Sequence, residues 1–158
     1  MAAGDVHVFA SYPYNMAGTS AQFWGSDTIK MGIVTNSTAP TVTTADPRWG
    51  TGGTTNFATN EVTPGGSYSA GGISLTSPAI AASGADTNLT ATSPISLAAN
   101  ASNPTGAYWG ILYDSTDSGK HCFGYIDLGG PVSLVAGLQI NLAGASSGTQ
   151  IVLQGVAS

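Results

Sequence analysis

Short runs in which apolar and polar residues alternate recur along the chain, and they predict β-strands. In the first run, Asp5–Ala10, Val6 and Val8 fall on one face while His7 and Phe9 fall on the other. Further runs that predict strands are Thr28–Thr35, Ser67–Thr76, Asn88–Thr92, Ile95–Ala99, Leu138–Leu142 and Ile151–Val156.

The clearest predicted element is a β-hairpin. The runs Ala107–Tyr113 and Cys122–Leu128 are both apolar and aromatic, and Asp114–Gly119 between them consists of Asp, Ser, Thr and Gly. These residue types favour turns because they bond to their own backbone or adopt unusual backbone angles. We therefore predict two antiparallel strands joined by a loop longer than a tight turn.

Two stretches between the predicted strands are expected to be extended loops. Residues 11–26 begin with a Tyr-Pro-Tyr-Asn sequence, and residues 36–66 contain several prolines, a Gly-Gly pair and many Thr and Asn residues. We expect a turn of helix at Phe57–Glu61. Connections of this length inside a domain often have a function.

The order of the elements predicts the fold class. Helical periodicity is nearly absent, and about eight short strands separated by turn residues are typical of an all-β fold. We predict a single-domain antiparallel β-sandwich or jelly-roll-like barrel with long loops over residues 1–158, a length that suits one domain. Cys122 is the sole cysteine, so no intrachain disulfide forms, and we expect it to be a small core residue.

The scarcity of charge excludes one kind of partner, and the lack of a long apolar run excludes another. Charged residues make up 7% of the chain, against about 25% in an average protein. With Lys30, Arg48 and Lys120 as its basic residues, the chain cannot neutralise a nucleic-acid backbone. No apolar run reaches the roughly 18–20 residues of a membrane span. The resulting neutral surface is easily desolvated, which suits either a dense protein assembly or an extracellular domain.

Residue types that perform catalysis or bind zinc are present without the required context. Gly144–Gly148 matches the Gly-x-Ser-x-Gly pattern of hydrolases, but Ser146 precedes a predicted strand instead of a helix. His121 and Cys122 are adjacent, so in a strand their side chains point to opposite faces and do not converge on zinc.

Carboxylates in the hairpin raise two further hypotheses. Asp114 and Asp117 could offer oxygen ligands to calcium, but Ca²⁺ takes about six to eight ligands, and turns favour the same residues. Asp114 and Asp127 lie on opposite arms of the hairpin, as a glycosidase pair would require, but no other feature indicates an active cleft. We therefore expect no enzymatic activity, no catalytic residue, no cofactor and no metal.

Aromatic residues in the two extended loops are the candidates for binding. Tyr12, Tyr14 and Trp49 fall in these loops, where exposed rings would form a protein interface or stack on sugars. The alternative is packing into the core, which we expect for Trp109 and Tyr113. The candidate interface residues are Tyr12, Tyr14, Trp24, Arg48, Trp49 and Phe57.

Several segments taken together carry a resemblance to a known group of proteins. The segments are Gly4–Phe9, Asp27–Thr35, Asp46–Trp49, Asn60–Val62 with Gly66–Leu75, and Ala107–Asp114 with Gly124–Gly129. In this order and spacing the chain resembles small virion proteins of tailed bacteriophages, some of which decorate or cement the capsid.

This resemblance implies a structural role without catalytic residues. The implied partners are the major capsid protein and further copies of the same chain, as a homo-trimer or homo-dimer on the capsid surface. Neither nucleic acid nor membrane is an expected partner. The alternative function is a tail or fibre-tip module that recognises a glycan of the host cell surface.

Overall fold

A computed structural model describes residues 6–17, 25–83, 86–92, 94–140 and 151–154. Within these ranges the regular structure is mainly β-strand in several antiparallel sheets, with very little helix, so the predicted all-β fold is confirmed. The elements are β1 (Val6–Val8), α1 (Tyr12–Ala17), β2 (Ile29–Val34), β3 (Pro47–Arg48), β4 (Thr55–Asn56), a 3₁₀ turn (Phe57–Asn60), β5 (Ile73–Ser74), β6 (Ala79–Ser83), β7 (Asp86–Thr90), β8 (Ile95–Leu97), β9 (Ala107–Asp114), β10 (Cys122–Val132), β11 (Leu138–Ile140) and β12 (Ile151–Gln154).

A central sheet of five strands has the order β1-β10-β9-β2-β5. Its middle is the predicted hairpin of β9 and β10, which is confirmed, although β10 runs to Val132 rather than ending at Leu128. The register of the hairpin shifts between Asp127 and Val132, where Gly129 and Gly130 have positive φ angles. Since a bulge adds unpaired residues to one strand, the glycines allow β10 to continue past it.

Both faces of this sheet are buried. Along β9, Leu112 packs into one hydrophobic cluster while its neighbours Ile111 and Tyr113 pack into another on the opposite face. Successive side chains of a strand point to opposite sides, so a continuous apolar run requires a cover on each side. The sheet is therefore the middle layer of the molecule.

The first face carries the larger cluster. Met31, Ile33, Leu112 and Ile126 of the central sheet belong to it. The residues that pack against them come from two small sheets, one of β8 and β11 and one of β6, β7 and β12, and from the connections between strands. They include Leu89, Ala91, Ile95, Leu97 and Ile140.

The second face is covered by part of the predicted loop 36–66. Trp49 and Phe57 of this segment are buried against Val34, Ile111 and Tyr125 of the sheet. The segment contains the strand pair β3–β4, so it is not wholly irregular. This pair is parallel, whereas we expected antiparallel strands. The predicted helical turn is confirmed as the 3₁₀ turn Phe57–Asn60.

Three of the described elements differ from the prediction. Residues 11–26 were expected to form a loop, but they begin with the helix α1, because Pro13 lies in its first turn, where a missing N–H costs nothing. Ser67–Thr76 was expected to be a strand, but tight turns leave only Ile73–Ser74 extended. Strand β6 was not predicted, since Ala and Ser dominate its sequence.

Gly71 and Gly72 end the turn before β5, and both have positive φ angles. Gly72 has a φ of +86°, and a β-carbon there would lie 2.1 Å from the carbonyl oxygen of Met31. The turn therefore lies directly against the backbone of β2, which brings Ile73 into register with Met31 as β5. Only glycine combines that angle with that approach.

We expect Gly72→Ala to lower the free energy of unfolding by roughly 3 kcal/mol or more, because it adds a backbone clash to an unfavourable angle. Gly106→Ala is the matched control, since φ there is +73° and no atom lies within 4 Å of the added carbon. That control should cost about 1 kcal/mol. Urea denaturation measures both, and equal losses would show that the close approach contributes nothing.

Candidate interaction surface and its internal supports

A polar network joins the loop of the β9–β10 hairpin, residues 115–121, to strand β3. The guanidinium of Arg48 donates to Asp46 Oδ1 at 2.7 Å through Nε and to the Gly119 carbonyl at 3.2 Å through Nη1. Next to it, the Trp49 N–H donates to the carbonyl of Lys120 at 2.9 Å. The basic group thus binds one carboxylate and one loop carbonyl rather than an outside partner.

Inside the hairpin loop, Asp117 acts as the organising carboxylate. Its Oδ2 accepts from the buried His121 ring at Nδ1, and its Oδ1 accepts the Gly119 N–H at 3.1 Å. Burial by itself raises the pKa of Asp117, but the hydrogen bonds from His121 and from the backbone outweigh it and hold that pKa below its ordinary value. The charged form is therefore the one that stabilises the loop.

Trp49 is held by stacking. Its indole lies at 4.9 Å and 10° from the ring of Tyr113, and its other contacts include Gly32, where a β-carbon would overlap the indole. The Tyr113 hydroxyl donates to the Gly71 carbonyl at 2.7 Å. Because Gly32 leaves a flat space on the sheet, the large ring fits directly above the backbone of β2.

A second internal network is built around Glu61. Its Oε1 accepts from the Tyr68 hydroxyl at 2.9 Å and from the Gly71 N–H at 2.7 Å. The same hydroxyl accepts the Ile33 N–H at 2.9 Å. Burial, reinforced by the Glu61 carboxylate, raises the pKa of Tyr68, so the hydroxyl stays protonated and can donate. The Asn60–Val62 and Gly66–Leu75 segments therefore meet through one carboxylate.

The structure places most of the predicted interface residues away from the surface. Tyr12 and Phe57 are fully buried and Trp49 is 4% exposed, so these three interface candidates pack in the core, which was the alternative left open for Tyr12 and Trp49. They serve the core because the two faces of the central sheet need large apolar covers. The side chain of Arg48 is 16% exposed and engaged internally, and Trp24 lies outside the described residues.

Tyr14 is the predicted interface residue that the structure leaves exposed, at 81%. Val42, at 46%, is exposed on the neighbouring segment, whose carbonyl accepts the Ala10 N–H at 2.8 Å. This bond joins the Val42 segment to the residues just before α1, and we call the two exposed side chains the Tyr14–Val42 patch. Thr41, Thr43 and Thr44 flank Val42 in the chain, and the Thr41 hydroxyl bonds to those of Thr43 and Thr44. No hydropathy signal distinguishes Val42 in the sequence, since it lies in a Thr-rich stretch.

Two of the three residues predicted to lie in the core are buried. Tyr113 and Cys122 are buried as expected. Trp109 is half-buried, with its Nε1 donating to Asn36 Oδ1 at 3.1 Å.

The candidate metal and catalytic groups do not converge in the described ranges. Asp114 Oδ1 accepts the N–H groups of Thr116 and Asp117, which is what the turn requires, and no cluster of three or more His, Cys, Asp or Glu side chains suited to a metal occurs there. Asp127 pairs with Trp109, five residues before Asp114 on β9, which separates the two carboxylates by roughly 17 Å along the strand. A glycosidase needs about 5–9.5 Å. Ser146 lies outside the described residues.

No helix in the described ranges has the length and apolar composition needed to cross a bilayer. No protein-family model, curated protein or solved structure matches this chain.

We expect Asp117→Asn to lower the free energy of unfolding at pH 7 by about 1–3 kcal/mol, since it replaces charge-assisted hydrogen bonds. A carboxyl whose folded pKa is depressed stabilises above its unfolded pKa of about 3.9, and the effect is lost as pH falls through the folded value. The variant should therefore lose less stability than the wild type between pH 5 and pH 2.5, measured by thermal unfolding.

Asp127→Asn is the control for that measurement, because Asp127 also accepts a backbone N–H, from Gly129 at 2.8 Å, but has no histidine partner. An Asp117→Asn variant with the acid sensitivity of the wild type would contradict the assigned role.

Proposed function

We propose that this chain is a structural protein of a bacteriophage virion, most concretely a capsid decoration or cement protein that binds the major capsid protein and stabilises the shell. The observation that carries the proposal is that, among the described residues, most of the few charged groups are bound inside the fold, so that the outer surface carries few ions. The resemblance of the quoted segments to small virion proteins supports the assignment to a phage.

The internal use of charge involves most of the acidic groups in the described ranges. Asp46 binds Arg48, Asp117 binds His121, and Glu61 binds Tyr68 and Gly71. Asp114 is fully buried, and Asp127 accepts the N–H of Gly129. These carboxylates therefore organise turns, and their charge is matched at least in part by donors inside the fold.

A neutral surface has a physical advantage in a close-packed assembly. Charged groups that are covered by a neighbour must give up their hydration, which costs several kcal/mol unless each finds a partner. Hydroxyl, amide and small side chains avoid that cost. An open groove beside the end of the β8–β11 pair is likewise uncharged, since residues 96–99 and 136–139 line it.

The Tyr14–Val42 patch is the part of this surface best suited to contact the shell. A tyrosine that is 81% exposed offers a large apolar ring and a hydroxyl at the same time, and such residues dominate the binding energy of many interfaces. The flanking threonine hydroxyls would supply the polar rim that such contacts usually have.

The decisive experiment is a reconstruction of the virion whose genome encodes this chain. We expect density for it on the outer capsid surface, in a fixed ratio to the major capsid protein and as a dimer or trimer. Particles assembled without it should lose their contents at lower temperature. Density confined to the tail, or absence of the chain from purified particles, would refute the proposal.

We expect Tyr14→Ser and Val42→Ser each to weaken binding to undecorated particles by about tenfold or more, as removal of a central apolar contact costs 1–2 kcal/mol or more. Val135→Ser is the control, because Val135 is also exposed, at 39%, but lies in the connection between β10 and β11. Co-sedimentation with particles measures the occupancy. Equal binding by all three variants would exclude the patch as the contact.

The alternative is a tail or fibre-tip module that recognises a host glycan. The exposed ring of Tyr14 would be its stacking platform, since the ring of Trp49 is covered by Tyr113 and Gly32. A glycan array separates the two functions. Saturable binding that Tyr14→Ser abolishes, together with no affinity for particles, would favour the alternative.

A further inference from the structure

The carboxyl group of Asp114 occupies an unusual position at the end of β9. The residue is fully buried and pairs with Ile29 across the sheet. Its Oδ1 accepts the N–H groups of Thr116 at 2.8 Å and Asp117 at 3.1 Å. One half of the carboxyl therefore starts the turn of the hairpin loop, residues 115–121.

The other oxygen, Oδ2, is enclosed and receives no N–H or neutral O–H donor from the described residues. A buried acceptor without a donor costs about 1–3 kcal/mol, so native structures rarely leave one. Asp27 directly precedes Thr28, whose backbone is hydrogen-bonded to Ser115 and Thr116, so its carboxyl lies beside that of Asp114 and a hydrogen bond between the two raises the pKa of Asp114. Two carboxyl groups can form a hydrogen bond only if one of them holds a proton.

We propose that Asp27 and Asp114 share one proton and that this proton fastens the hairpin loop to the segment before β2, so that the loop is held in acid and loosened at and above neutral pH. The proposal concerns the free chain in solution and does not depend on the proposed function.

Further hydrogen bonds connect the segment before β2 to the hairpin loop. The N–H and the hydroxyl of Ser115 both donate to the Thr28 carbonyl, at 3.0 and 2.8 Å, and the Thr28 N–H donates to Thr116 Oγ1 at 2.9 Å. Since Thr28 follows Asp27 directly, repulsion between two ionised carboxylates acts on these bonds.

The remaining titratable groups near the pair do not neutralise it. Tyr12 of α1 interacts with Asp114 electrostatically, and burial together with that charge raises the pKa of its hydroxyl, so it stays neutral. Within the loop, Asp117 and His121 bind each other. Lys30 follows Ile29 on β2, so its side chain points to the opposite face of the sheet.

The change of stability with pH follows from the proton that the folded chain holds at Asp114. Burial first, and then the neighbouring Asp27, raise the pKa of Asp114 to about 6. The folded chain therefore holds a proton that the unfolded chain releases at about pH 4. Stability from the pair is fully present below about pH 4 and is lost as the pH rises through about 6.

The test is the variant Asp27→Asn, whose amide donates to Asp114 at every pH. We expect the folding equilibrium constant of the wild type to fall by roughly ten- to a hundredfold between pH 4.5 and pH 7.5 and that of the variant to lack this fall. Hydrogen exchange at the Thr116 and Asp117 amides, corrected for intrinsic pH dependence, should accelerate over the same range in the wild type only.

Asp127→Asn is the matched control and should keep the wild-type dependence on pH. Carbon NMR titration of the wild-type Asp114 carboxyl is a readout that needs no variant, and it should show a step near pH 6. An Asp114 titration near pH 4, or an Asp27→Asn variant that still loses stability toward pH 7.5, would overturn the proposal.

Discussion

The structure depends on one constraint, which is that its central sheet is apolar on both faces and must be covered twice. Strands β2 and β9 carry consecutive buried residues, so their alternate side chains enter two different cores. Small sheets cover one face, and a connection without long strands of its own covers the other. Trp49 stacked on Tyr113 above Gly32 is the contact that makes this second cover fit.

This arrangement also explains where the charges are. A connection that packs as a cover must satisfy its own backbone groups while it is partly buried. The carboxylates of Asp46, Glu61 and Asp117 do so by binding Arg48, Tyr68 and His121, together with loop N–H groups. As a consequence, the outer surface consists largely of hydroxyl, amide and small side chains. A role in a protein assembly would use that surface. The same packing leaves the fully buried Asp114 beside the partly exposed Asp27 at the hairpin.

Local patterns predicted the elements well where strands were alternating or strongly apolar, and poorly where packing decided. The β9–β10 hairpin followed from two apolar runs around turn residues. Ser67–Thr76 looked equally extended, yet it turns because Gly71 and Gly72 approach the backbone of β2. For the aromatic residues of the extended loops the sequence left both surface and core open, and Tyr12, Trp49 and Phe57 are core residues. A ring in a loop carries no signal of which side it will face.

The amino-acid sequence by itself determined the all-β class, the central hairpin, the buried single cysteine and the scarcity of charge, because each depends on composition or on spacing over a few residues. Tertiary structure alone decided that the connection 36–66 closes a second core, that Tyr14 and Val42 stay outside, and that Asp27 meets Asp114. These contacts join residues far apart in the chain, and their energies arise from burial and desolvation, which exist only once the layers have packed.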